Sequence, residues 1–237
     1  MPPDHLSTNL SVLPSVGVIP RLVAVVPAAG LSRRMGQQKL LLQLTGKTVI
    51  AHVISALRGA GIERCLVVIR PDATELARAV LVAGGEVVQP LIAPSDMRES
   101  VECALRAIEG RDHRHCGNLK PPSEGCDGWV LIPADHPTMR SPLIRDLIAT
   151  WSLSPTRIAV PVYAGRRGHP TIFPWSVVDE VYHLPPAQGL NQVLRSAPDR
   201  VLEMSVTDAS ILDDLDTPAD WLRLQQEREP GEGRPLG

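Results

Sequence analysis

The chain has no apolar run close to the roughly 20 residues that a bilayer-crossing helix needs. Its short apolar runs at 22–26 and 130–132 read as buried strands. It also has no excess of positive charge: 24 Lys and Arg stand against 26 Asp and Glu, with a pI near 6.4. A broad cationic field for nucleic acid is therefore excluded, and no local patch replaces it. Residues 1–20 lack a basic start followed by an apolar core, so they do not read as a secretory signal. Their prolines, serines and absence of periodicity suggest a loose tail, and the expected location is the cytoplasm. What is present is 237 residues with 43% hydrophobic content, enough for one sizeable core. One domain over 21–226 is expected, followed by a polar tail at 227–237.

Cysteine is scarce, with Cys65 and Cys103 falling in a predicted strand and helix, where they read as reduced core residues. Cys116 and Cys126 flank a loop that also carries His113 and His115, and together these four could hold a small metal site. Their spacing matches none of the usual zinc ligand pairs. Residues 110–127 are read instead as a solvated insertion rich in Pro, Gly and His.

Along the chain, strands and helices alternate. Residues 21–27 form an apolar strand that runs into Ala28-Ala29-Gly30. Val49, Ile50, Val53, Ile54 and Leu57 give a helix over 47–60 its inward stripe. A strand at 65–69 follows, then a helix that Asp72 caps with Glu75 three residues on. Residues 86–89 make a short strand, and Asp96 with Glu99 repeats the capping pattern for the next helix. Residues 129–134 are a strand ending in Asp135. Ser141 and Pro142 suit a helix start. Strands are expected at 158–163, 171–173 and 201–206, with short helices near 175–183 and 190–195. Asp216-Thr217-Pro218 opens the last helix. This order predicts an α/β, Rossmann-like fold: a mainly parallel central sheet with helices on both faces. Ligands of such sheets sit at the carboxyl ends of the strands.

The richest chemistry lies in Pro27-Ala28-Ala29-Gly30-Leu31-Ser32-Arg33-Arg34-Met35-Gly36-Gln37-Gln38-Lys39. Small side chains let backbone N–H groups approach a base and phosphates, while Arg34 and Lys39 can neutralise a triphosphate and its leaving pyrophosphate. The string is neither Gly-x-Gly-x-x-Gly nor a Walker loop, which counts against dinucleotide binding and P-loop hydrolysis. Asp135 ends an apolar strand, where a lone carboxylate is costly unless exposed or paired.

The whole string resembles the nucleotidyltransferase superfamily of MobA-like NTP transferases, whose fingerprint is Ala-Ala-Gly, a short spacer, Arg-Met-Gly and then Lys. Within it, the likeness is to molybdenum cofactor cytidylyltransferase and its relatives, over about 22–224. Gly168-His169-Pro170 and Asp214-Leu215-Asp216-Thr217-Pro218 favour that branch. Pro27, where the branch often has leucine, Gln38 and the 110–127 insertion depart from it. The resemblance implies magnesium held by Asp135 and Asp216, as Mg2+ commonly takes one or two carboxylates beside phosphate oxygens and water. It implies nucleotide binding by Pro27, Ala28, Ala29, Gly30, Arg34, Lys39 and Ser100, with Arg34, Lys39 and Asp135 catalytic. It assigns the loop of Arg167, Gly168, His169 and Pro170 to the acceptor side. Its cytidine-using members share Ala-Ala-Gly, whereas guanosine-using members have a second glycine in place of the second alanine.

The resemblance implies transfer of CMP from CTP to the phosphate of molybdopterin or molybdenum cofactor, with release of pyrophosphate. A molybdenum enzyme or its chaperone is the partner expected; no nucleic acid or membrane is. A phosphate nucleophile is already anionic at neutral pH, so the lack of an obvious Ser-His-Asp arrangement is no obstacle. The rivals are a related transferase with another NTP or small phosphorylated acceptor, a Rossmann-like oxidoreductase, and a non-catalytic nucleotide-binding chaperone for molybdenum enzymes.

Overall fold

The computed structural model describes residues 20–110, 125–186 and 188–228. Most of the expected tails, and His113, His115 and Cys116 with most of the 110–127 insertion, lie outside the described residues, while α7 carries on through 227 and 228, which were expected to begin the polar tail. Val-rich segments make the central strands β1 (Leu22–Pro27), after which a hairpin pairs β2 (Gln43–Leu44) with β3 (Lys47–Thr48). Helix α1 (Val49–Gly59) leads to β4 (Arg64–Val68), α2 (Thr74–Val82) and β5 (Glu86–Val88). Helix α3 (Met97–Ile108) and β6 (Gly128–Leu131) follow, then α4 (Ser141–Ser152), β7 (Ile158–Tyr163), β8 (Arg166–Arg167) and β9 (Thr171–Pro174). Short α5 (Val178–Tyr182) and α6 (Asn191–Ser196), β10 (Val201–Ser205) and α7 (Pro218–Arg228) complete the order.

The main sheet runs β10-β7-β9-β6-β1-β4-β5, with β8 paired to β7. β1 pairs in parallel with β4 and β6, β4 with β5, and β7 with β10. β9 enters antiparallel between β6 and β7, which makes the sheet mixed though mostly parallel at its centre. Strands buried on both faces read as continuous apolar runs, which is why β1, β6 and β7 are clear in the sequence. Alternate residues serve opposite layers. Ala24 and Val26 pack with α1, α2 and α4, whereas Val23 and Val25 pack with α3, α5 and α6.

Local chemistry adjusts several expected boundaries. The predicted helix start at 47 is taken by β3, because Thr45 (φ 47°) and Gly46 (φ 79°) turn the chain into a hairpin first. Asp72 does not cap α2: Ala73 is the N-cap, and Asp72 instead accepts a 3.1 Å bond from Arg70 Nε. Asp96 does cap α3, accepting from Glu99 N at 2.8 Å, while the Glu99 carboxylate accepts from Ser95 N at 2.6 Å. Ser141 begins α4 but Arg140 is its N-cap. Arg167, expected in a loop, instead forms β8 with Arg166, paired to Val162 and Tyr163 of β7. Among the described residues no helix is long and apolar enough to cross a membrane.

Candidate active site

At the carboxyl end of β1 the chain passes between two parallel neighbours, and its ladder continues beyond the strand. Ala28 N donates to Val68 O at 2.8 Å, and Ala134 N donates to Pro27 O at 3.3 Å. The strand order reverses at β1, since the next strands lie on one side and β6 on the other. Crevices at such points take ligands. Here a cleft of about 620 Å³ opens, lined by Pro27, Ala28, Ala29 and Gly30 after β1 and by Ser95, Asp96, Met97 and Ser100 around the start of α3. Arg34, Lys39, Arg70, Asp135 and Asp216 line it too.

The loop after Gly30 is kept tight by short 3-10 turns at Arg33–Met35 and Lys39–Leu41. Met35 and Leu40, 7% and 5% exposed, anchor these turns in the core. Their neighbours Arg34 and Lys39 are thereby turned toward the cleft. Lys39 Nζ donates to Asp135 Oδ2 at 2.7 Å and to Asp216 Oδ1 at 2.9 Å, and Arg34 Nη1 donates to Asp216 Oδ2 at 3.0 Å. Three residues far apart in sequence thus meet at one ammonium. Burial would raise the Asp135 pKa, but the His136 hydrogen bond and the Lys39 charge outweigh it and hold the carboxyl well below its usual range. Burial would likewise lower that of Lys39, yet the two carboxylates raise it on balance. Both groups are charged at neutral pH.

Asp216 is free for this cluster because the next residues cap the helix. Thr217 N donates to Asp220 Oδ2 at 2.7 Å and Asp220 N to Thr217 Oγ1 at 3.2 Å, a reciprocal cap that opens α7. The backbone joins the two aspartate segments directly, through Leu215 N to Asp135 O at 2.9 Å. Ser100 lines the cleft but is only 2% exposed, and its hydroxyl donates to Asp96 O at 3.0 Å.

The expected acceptor loop lies behind this cluster. Gly168 packs against the Ile211 carbonyl, His169 N donates to Ile211 O at 2.9 Å, and the His169-Pro170 bond is cis. The His169 ring meets His136 edge to face at 5.2 Å, and His136 Nδ1 lies 3.1 Å from Asp135 Oδ1. Burial, then the neighbouring His136, push the His169 pKa down to about 4, so it is neutral at pH 7. Arg167 Nε donates to Glu203 Oε1 at 2.7 Å. Arg167, Gly168, His169 and Pro170 are not among the residues lining the cleft. No role is given from sequence to His136 or to Arg70. Its signal was the position of Arg70 just beyond a strand whose neighbour carries the Ala-Ala-Gly loop.

Asp135 and Asp216 also bear on the expected metal. Among the described residues no group of three or more His, Cys, Asp and Glu side chains is gathered as for a metal ion. Two carboxylate oxygens do converge on one point, now taken by the Lys39 ammonium. That donor set fits a cation that completes its shell with phosphate oxygens and water.

The chain resembles the purine catabolism protein PucB of Bacillus subtilis, 31% identical over 206 residues that cover 85% of this chain and 95% of the relative. Among solved structures it is similar to Rv0371c of Mycobacterium tuberculosis in complex with manganese: TM-score 0.64, 26% identity, 87% of this chain and 98% of that one. A nucleotidyl transferase of Methanothermobacter shares the fold at TM-score 0.69 and 20% identity, over 87% of this chain and 97% of that one. Residues 24–201, from the middle of β1 to the start of β10, match the MobA-like NTP transferase domain, and the chain belongs to that family.

Proposed function

We propose that the protein is a cytidylyltransferase that moves CMP from CTP to the phosphate of molybdopterin or molybdenum cofactor. An oxygen of the acceptor phosphate attacks the α-phosphorus of CTP, forming a new P–O–P bridge. The bond between the α-phosphorus and the oxygen bridging to the β-phosphate breaks, and pyrophosphate leaves with the electron pair. The observation that carries this reading is the Lys39, Arg34, Asp135 and Asp216 cluster beside the Ala28-Ala29-Gly30 loop in one cleft. Backbone N–H groups of that loop would hold base and phosphates at close range, because its side chains are small. Lys39 and Arg34 would meet the charge that grows on the departing pyrophosphate. Asp135 and Asp216 would hold Mg2+, which on binding would neutralise and orient phosphate oxygens. His136, bonded to Asp135, would fix the direction of its carboxylate. Catalysis then rests on positioning and electrostatics, with no covalent enzyme intermediate.

Donor choice is supported by Ala29, whose methyl narrows the wall of the cleft where a second glycine would widen it. The molybdopterin acceptor rests on the sequence likeness of Gly168-His169-Pro170 alone, since this segment packs on Ile211 behind the cleft. The test is incubation with Mg2+, each of the four NTPs and molybdenum cofactor, read by mass spectrometry and pyrophosphate release. A cytosine dinucleotide of the cofactor is the expected product. Pyrophosphate release with another NTP or acceptor would reassign the substrates, and nucleotide binding without turnover would point to a chaperone.

A further inference from the structure

The Lys39 ammonium does more than line the cleft. It takes the point on which Asp135 Oδ2 and Asp216 Oδ1 converge, at 2.7 and 2.9 Å. The Lys39 side chain is only 13% exposed, so this contact is enclosed and weakly screened. With Arg34 on the other oxygen of Asp216, the cluster sets two cations against two carboxylates. A divalent cation approaching it meets no net negative charge, and its own position is filled. A triphosphate changes that balance. It offers Lys39 and Arg34 oxygens of high charge, and the four-carbon stem of lysine lets the ammonium turn from one anion to another.

We propose that Lys39 and the divalent cation compete for the same two carboxylates, so that the protein takes up metal tightly only when a triphosphate draws Lys39 away. The inference rests on the metal-dependent reading above and adds an order to it. Lys39 keeps the two aspartates paired before substrate arrives, and the cation binds together with or after the nucleotide. Coupling of this kind is reciprocal, so the cation also tightens the hold on the nucleotide.

The experiment uses the full chain, with Mn2+ as probe, followed by electron paramagnetic resonance of the free ion and by water-proton relaxation. The wild type should bind Mn2+ weakly alone and show enhanced relaxation only with CTP, beyond that of Mn2+ and CTP without protein. Lys39→Met keeps the length and removes the charge, and should bind Mn2+ alone about tenfold or more tightly than the wild type. Lys39→Arg should remain weak. Adding Asp135→Asn to Lys39→Met should erase the gain; a gain that persists would place the ion elsewhere and overturn the proposal. Arg34→Met alters a side chain that is 76% exposed and provides a milder test should Lys39→Met not fold. It should gain a few-fold in Mn2+ affinity, and no gain in either variant overturns the exchange. Equal Mn2+ affinity in the wild type with and without CTP would do the same while leaving the metal reading intact. No Mn2+ binding by any protein, CTP present or not, would remove both.

Discussion

Replacing Gly168 by alanine tests whether the segment behind the cleft sets the position of Asp216. A methyl built on Gly168 would lie 2.4 Å from the Ile211 carbonyl oxygen and 2.8 Å from its carbon. An ordinary carbon–oxygen contact is about 3.3 Å, so backbone must retreat by about 0.9 Å. That backbone cannot move alone. Ile211 O accepts from His169 N at 2.9 Å, and a few residues later Leu215 N is bonded to Asp135 O at 2.9 Å. Overpacking of this kind costs about 1–3 kcal/mol, and stretching the His169 bond adds about 1 kcal/mol. For a chain of this size that lowers Tm by roughly 5–15 °C. A shift passed on to Asp216 should lower kcat/KM by up to about 100-fold, as ångström-scale misplacement does. Thermal unfolding and pyrophosphate release are measured side by side with Gly30→Ala, where an added methyl meets nothing within 4 Å. That variant should keep its Tm but, if the proposed function holds, lose nucleotide affinity, as the methyl would enter open space that the proposal gives to the phosphates. A Gly168→Ala protein within about 2 °C of wild type and fully active would refute the reasoning.

Asp135→Asn keeps the shape while removing a charge from the proposed metal site, and should lower turnover by orders of magnitude with an unchanged circular dichroism spectrum; near-normal activity with Mg2+ would contradict the assignment. His169 has a folded pKa near 4, below its ordinary 6.5, so the unfolded chain binds a proton that the folded chain refuses. Its share of stability is therefore present above pH 6.5 and lost as pH falls toward 4, about 3 kcal/mol in all; denaturation of His169→Gln should show a shallower decline over that window, and parallel curves would exclude the residue. Ala29→Gly should raise kcat/KM with GTP relative to CTP by at most about 10- to 200-fold, the value of one methyl of steric selection; an unchanged ratio would show that this loop does not choose the base.

The parts of the fold legible in the sequence are those decided locally. Continuous apolar runs give β1, β6 and β7 away, and Asp96 with Glu99 marks a true cap, because strand burial and capping are settled by near neighbours. Asp72 shows the limit: its spacing to Glu75 is right, but Arg70 offers its carboxylate a charged partner. The placing of β9 antiparallel between β6 and β7 is likewise a tertiary choice that no periodicity records. In the site, the Ala28-Ala29-Gly30 loop could be read from small residues next to cations. The meeting of Lys39 with Asp135 and Asp216 could not, because it spans most of the domain. Resemblance supplied the two aspartates, and only the folded chain shows what holds them together. Arg167 departs most from its expected place among acceptor-binding groups, since β8 aims it at Glu203.

The two sequence motifs 168–170 and 214–218 turn out to be halves of a single packing unit. Gly168 is small enough for the chain at Ile211 to lie on it, His169 bonds that chain through its backbone, and Leu215 then bonds the backbone of Asp135. Thr217 and Asp220 cap α7 between themselves, which leaves the Asp216 carboxylate for Lys39 and Arg34. Each contact is weak alone, at about 1 kcal/mol for an ordinary hydrogen bond. Together they fix one carboxylate relative to another 81 positions further along the chain, by backbone bonds rather than side-chain reach. Backbone-fixed carboxylates can exchange one cationic partner for another without moving, which is what a site must do if an ammonium and a metal ion are to use it in turn.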